Sequence, residues 1–114
     1  MACPYFDPLS RASERPGYRL PLGSLWLGAC CSPLADAAPR SADHQREVCN
    51  VGYARGRCTS FPEDAEADAV RFAQRPEGVV FILEKGHAPV SWGPAAGIPP
   101  GTLLDRQMKA WNTT

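Results

Sequence analysis

Cys49 and Cys58 bracket the eight residues Asn50-Val51-Gly52-Tyr53-Ala54-Arg55-Gly56-Arg57. Two of the eight are glycine and two are arginine. Glycine lets a backbone turn sharply and come close to a bulky group. Successive N–H groups in such a turn can face an anion. A pair of thiolates beside guanidinium groups suits one half of a metal or iron–sulfur cradle. The other half falls to Cys3 and the adjacent Cys30-Cys31 pair. Neighbouring residues on an extended backbone point to opposite sides, so one of Cys30 and Cys31 is expected to serve. Cys31, beside the turn-forming Ser32-Pro33, is preferred. The expected ligand set is Cys3, Cys31, Cys49 and Cys58, with 27, 17 and 8 residues between successive members.

Those spacings decide between metals. Structural zinc sites use tight C-x₂₋₄-C knuckles, and common ferredoxin runs are similarly close. Neither is present. Far-apart thiolates converge more readily on a [4Fe–4S] cluster, which is wider than one ion. Such a cluster is the expected cofactor, at once redox centre and staple, with zinc and perhaps one histidine as the alternative. Arg55 and Arg57 would offset thiolate charge and raise the reduction potential, and Tyr53 and Trp26 would keep water away. Packed free thiols and disulfides are the remaining uses of cysteine, but an odd count of five leaves one thiol over in an all-disulfide scheme.

No phosphate-cradling loop and no strand-to-helix nucleophile elbow is present. His44 or His87 would activate a cysteine only if the fold brought them together; His44 is expected on an exposed polar face and His87 exposed beside a turn. Catalysis by the chain itself is therefore not expected. The expected role is electron transfer, or service as an accessory subunit of a larger complex, with a protein partner in either case. The alternative is a zinc- or thiol-stabilised protein-interaction module without redox activity. In that case Trp26, the strand near Val90 and the Leu104–Trp111 stripe would meet the partner.

Bulk properties narrow the field. The chain has 114 residues, enough for one domain. Twelve are proline, about twice the usual share of roughly 5%, so loops and turns are abundant. Small loop-rich domains generally need a disulfide or metal staple. Twelve basic residues balance twelve acidic ones, which argues against a nucleic-acid surface. Met1 to Pro8 show no basic segment leading into an apolar run. Leu20 to Cys31 is too short and too broken by Pro21, Gly23 and Gly28 to span a bilayer. A cytoplasmic location, where thiols stay reduced, is expected.

The elements that would position these cysteines are few. Residues 1–24 read as irregular, with at most one helical turn at Arg11–Arg15. Leu25, Trp26 and Leu27 belong to a core, and 33–40 reads as a linker. Residues 41–49 read as a helix capped by Ser41. Residues 60–75 read as the clearest helix: Pro62 lies near its start, acidic residues fill its first half, and Ala65, Ala69, Phe72 and Ala73 recur at helical spacing. Gly78–Glu84 is a β-branched and aromatic run. It forms a hairpin through Lys85-Gly86 with a return strand over 88–92, which Pro89 marks as an edge. After a Gly/Pro linker, Leu104, Met108 and Trp111 share one face of a terminal helix. The expected fold is a small α+β domain with two or three short helices and one hairpin. Cluster-binding loops would occupy 1–60, helix and hairpin 61–92, and linker and helix 93–114.

The combination Cys3-Pro4-Tyr5-Phe6, Leu20-Pro21-Leu22-Gly23, Trp26, Gly28, Cys31, Cys49-Asn50-Val51-Gly52-Tyr53-Ala54-Arg55-Gly56-Arg57-Cys58 and Phe61-Pro62 resembles a group of small bacterial cysteine-rich proteins. The resemblance spans residues 3–92. It implies no activity, since none is established for the group.

Overall fold

The computed structural model describes residues 2–11, 25–34, 41–53 and 58–112. Strand β1 (Phe6–Arg11) pairs antiparallel with β2 (Trp26–Cys30). Strands β3 (Ala69–Arg75), β4 (Gly78–Lys85) and β5 (Ala88–Pro94) form an antiparallel meander in that order. Between the sheets in sequence, α1 (Ala42–His44) runs directly into a π turn over Gln45–Cys49. A longer helix, α2 (Leu103–Asn112), lies near the end. The fold is mixed α+β, with two sheets where one hairpin was expected.

The expected helix over 60–75 does not form. Residues 60–68 are turns and irregular backbone, and Ala69–Arg75 is a strand. Val70 and Phe72 are buried and Arg71 between them is exposed, an alternation of period two. Both edges of this strand are bonded. Ala2 and Val70 exchange N–H···O bonds of 2.8 Å on one side, and β4 pairs on the other. These non-local partners outweigh the alanine-rich local preference for helix.

The N-terminal segment is also more regular than expected. Phe6–Arg11 is a strand despite Pro8, which a bulge between Pro8 and Ser10 accommodates. Arg11 ends that strand, and the suggested helical turn at 11–15 otherwise lies outside the described residues, as do 35–40 of the expected linker. The β4–β5 turn falls at Gly86-His87, one residue later than expected. Both residues have positive φ, 59° and 66°, as a two-residue primed hairpin turn requires.

Ser41 caps the first helical segment as expected, its Oγ accepting from His44 N–H at 3.1 Å. Helix α2 is held by a reciprocal cap: Asp105 N–H donates to Thr102 Oγ1, and Asp105 Oδ2 accepts from Gly101 N–H. Its Leu104, Met108 and Trp111 stripe packs on this chain's own core, with Trp111 6.0 Å from Phe72 between ring centroids. That core gathers Ala2, Phe6, Val48, Phe61, Val70, Phe72 and Ile98 around two cysteines, Cys3 and Cys49.

Candidate metal centre

Four segments distant in sequence deliver one cysteine each to a shared cavity. Cys3 arrives on the N-terminal segment that Ala2 bonds to β3. Its N–H donates to Cys49 O at 2.9 Å. Its own carbonyl accepts from Phe6 N–H at 3.1 Å and from Gln107 Nε2 at 2.9 Å. Gln107 is fully buried and also donates to Phe6 O at 2.7 Å, so α2 clamps the Cys3–Phe6 turn.

Cys30 ends β2, opposite Phe6 of β1. The pairing demands glycine at position 28, where a Cβ would stand 1.7 Å from Asp7 O. The outer edge of β2 is satisfied by side chains. Asn50 Oδ1 accepts from Trp26 N–H at 3.0 Å, Asn50 Nδ2 donates to Trp26 O at 2.9 Å, and Gln45 Oε1 accepts from Gly28 N–H at 2.8 Å. Two amides thus stand in for a neighbouring strand. Both come from the segment that carries Cys49.

Cys49 closes the π turn, where Asn50 N–H donates to Gln45 O at 2.9 Å. Cys58 opens a turn closed by Phe61 N–H donating to its carbonyl at 3.1 Å. Ser32 Oγ donates to Ser60 O and ties that turn to the end of β2.

Cys3, Cys30, Cys49 and Cys58 line one cavity of about 10 Å³ together with His44, Tyr5 and Phe61. Its wall is almost wholly apolar. Tyr5 and Phe61 meet edge to face, 5.6 Å between centroids. Cys3 and Cys49 are buried, while Cys30 and Cys58 are half-buried. Burial pushes the Cys3 thiol up to about 12, and the Cys49, Cys30 and Cys58 thiols add to the rise; the Tyr5 N–H on its sulfur acts the other way. An ionised Cys3 is therefore unfavourable in this cavity without a compensating cation. His44 Nε2 is buried and has no hydrogen-bond partner among the described residues. Among the described residues, no three His, Cys, Asp or Glu side chains are gathered closely enough to enclose one metal ion.

Of the expected set, Cys3, Cys49 and Cys58 come together and Cys31 does not. Cys31 is exposed, on the far side of the strand end from Cys30, with its N–H donating to Tyr5 O at 2.8 Å. Its thiol lies near Asp7 and Arg106 and is raised by partial burial and by Asp7, against Arg106. Strand parity is the reason. Trp26, Gly28 and Cys30 share one side of β2, and proximity to Ser32-Pro33 does not change that. With Trp26 packed inward, the same parity turns Cys30 to the cavity.

The expected shields are placed elsewhere. Trp26 packs against the core away from the cavity lining, with the Arg11 guanidinium 5.8 Å from its ring. Tyr53 stacks on His87 at 4.4 Å and donates its hydroxyl to Glu84 Oε1 at 3.2 Å. Burial and the neighbouring Glu84 raise the Tyr53 phenol. Tyr5 and Phe61 line the cavity in their stead. Arg55 and Arg57 lie outside the described residues. His44, expected on an exposed face, is half-buried with its ring on the cavity wall.

No helix among the described residues is long and apolar enough to cross a membrane. Comparison with family models, with curated proteins and with solved structures finds no match.

Proposed function

We propose that Cys3, Cys30, Cys49 and Cys58 hold a [4Fe–4S] cluster, and that the protein carries electrons or serves as an accessory subunit of a larger cytoplasmic complex. The supporting observation is the convergence of four thiols, from four separate segments, on one apolar cavity. A thiol whose ionisation is pushed to about 12 becomes a thiolate near neutral pH only beside compensating positive charge. An iron–sulfur core supplies that charge, and bound it supplies one-electron chemistry. The chain's own residues supply the rest. The Tyr5 N–H bonds to the Cys3 sulfur, and apolar side chains exclude water, both of which tune such a centre. Zinc has less support, because a tetrahedral site with Zn–S near ~2.3 Å needs ligands gathered on one point. The space between the thiols is about 10 Å³, roughly that of one water. Cluster entry therefore requires side chains to rotate outward, and Cys30 and Cys58 are the less buried of the four.

The test is iron and sulfide analysis of protein purified without oxygen, as wild type and as Cys3→Ser, Cys30→Ser, Cys49→Ser, Cys58→Ser and Cys31→Ser. We expect brown protein with about four iron per chain, lost in the first four variants and kept in the fifth. Colourless, iron-free protein contradicts the proposal.

A protein partner belongs to the same proposal, and the open face of the three-stranded sheet supports it. Arg71, Ile82 and Trp92 lie in register across β3, β4 and β5. Trp92 is 69% exposed. With Val80, Arg75 and Glu77 they border a groove of about 670 Å³. The complementary surface is apolar against Trp92 and acidic opposite Arg71 and Arg75. Trp92→Ser should leave iron loading unchanged and weaken association with such a partner.

A further inference from the structure

His44 sits where the helical segment changes pitch. Helix α1 ends at His44, and the π turn Gln45–Cys49 follows. In an α-helix, residues five apart lie about 140° apart around the axis, from 3.6 residues per turn. A turn closed by i→i+5 bonds winds more slowly and brings them closer together around the axis. The Asn50 N–H to Gln45 O bond is such a closure, and with it His44 and Cys49 line the same cavity. π turns are rare and concentrate at functional sites.

The ring that this pitch change delivers is chemically incomplete. Among the described residues its buried Nε2 has no hydrogen-bond partner, so it bears a desolvation cost that none of them offsets. It is the one nitrogen-bearing side chain among the described residues that line the cavity. Four thiols already fill the ligand set of a cubane, which leaves a fifth polar arm to donate rather than to ligate.

We propose that His44 donates its Nε2–H to a sulfur of the cluster held by Cys3, Cys30, Cys49 and Cys58, and so raises the cluster's reduction potential. This rests on the cluster proposal above. A hydrogen bond to a cluster sulfur favours the reduced form, which carries more negative charge, and in an apolar cavity the effect is not shared with water. His44 is thus a positioning and tuning residue, outside the ligand set.

The experiment uses full-length chain, assembled with iron and sulfide without oxygen, as wild type, His44→Ala and His44→Gln. Iron per chain and midpoint potential are measured, together with exchangeable-proton coupling to the reduced cluster by pulsed paramagnetic resonance. We expect equal iron in all three and a lower potential in H44A, with one proton coupling lost. H44Q, whose amide keeps an N–H, should recover most of the potential. An unchanged potential in iron-loaded H44A overturns the donor role and leaves the cluster proposal standing. Loss of iron from both folded variants also overturns it, by making His44 a ligand. Iron-free wild type overturns both proposals together.

Discussion

Asn50→Ala probes the joint that brings two of the four thiols together. The Asn50 side chain is 1% exposed and makes three hydrogen bonds: from Trp26 N–H at 3.0 Å, to Trp26 O at 2.9 Å and to Gln45 O at 2.7 Å. Gln45 O keeps a second donor, the Asn50 backbone N–H, so its loss is small. Trp26 N–H and O lose the Asn50 amide, and each buried group left unpaired costs about 1–3 kcal/mol. Two such groups set a range of about 2–6 kcal/mol, and because the Trp26 bonds are only partly buried the lower part of it, about 2–4 kcal/mol, is expected, a large part of the 5–15 kcal/mol typical of a whole domain. In urea the midpoint should fall by on the order of 1–3 M with the slope unchanged. Metal loading should fall with it, since Cys30 and Cys49 lie on the two elements Asn50 joins. Asn50→Asp keeps one acceptor but sets a carboxylate against two carbonyl oxygens. That variant should be as damaged at neutral pH and partly recover as the pH falls and the carboxyl gains a proton. A loss below about 0.5 kcal/mol for Asn50→Ala, where exposed positions ordinarily fall, would refute the strand-mimic role.

Gly28→Ala should cost about 3 kcal/mol or more, because its Cβ would stand 1.7 Å from a backbone oxygen rather than a movable side chain; thermal unfolding reads this directly. The metal-free chain should lose stability as pH rises from about 9 towards about 12. Cys3 keeps its proton in the folded state over that window and loses it when unfolded, so the slope approaches about 1.4 kcal/mol per pH unit for that one group. Urea titrations across the window check the sign. A metal-loaded chain, its thiolates already ionised, should lack this slope. Alkylation of the metal-free chain at pH 8 should modify exposed Cys31 well before Cys3, with peptide mass mapping as the readout.

Three of the four cysteines that line the cavity were legible in the sequence, and less of the scaffold was. Cys49 and Cys58 stood out by the glycine and arginine between them, and Cys3 by elimination. Ser41 as a cap, the Gly78–Lys85 strand and the C-terminal helix were visible because local signals and tertiary contacts agree there. Ala69–Arg75 was obscured because its alanines fit both helical and strand periods, and its strand state rests on the ladder with β4 and on a bridge from Val70 to Ala2, 68 residues away in sequence. Cys30 was hidden by treating the pair next to a turn rather than as the end of a strand whose parity Trp26 fixes. His44 was expected on an exposed polar face because α-helical spacing sets it apart from Cys49, whereas the π turn between them brings both onto one cavity.

Native mass spectrometry of the chain, expressed and purified without oxygen, tests the cluster directly. The expected mass exceeds that of the polypeptide by four iron and four sulfide ions, an excess retained in Cys31→Ser and absent in Cys30→Ser. A polypeptide mass alone, or one raised by a single zinc ion, would contradict it.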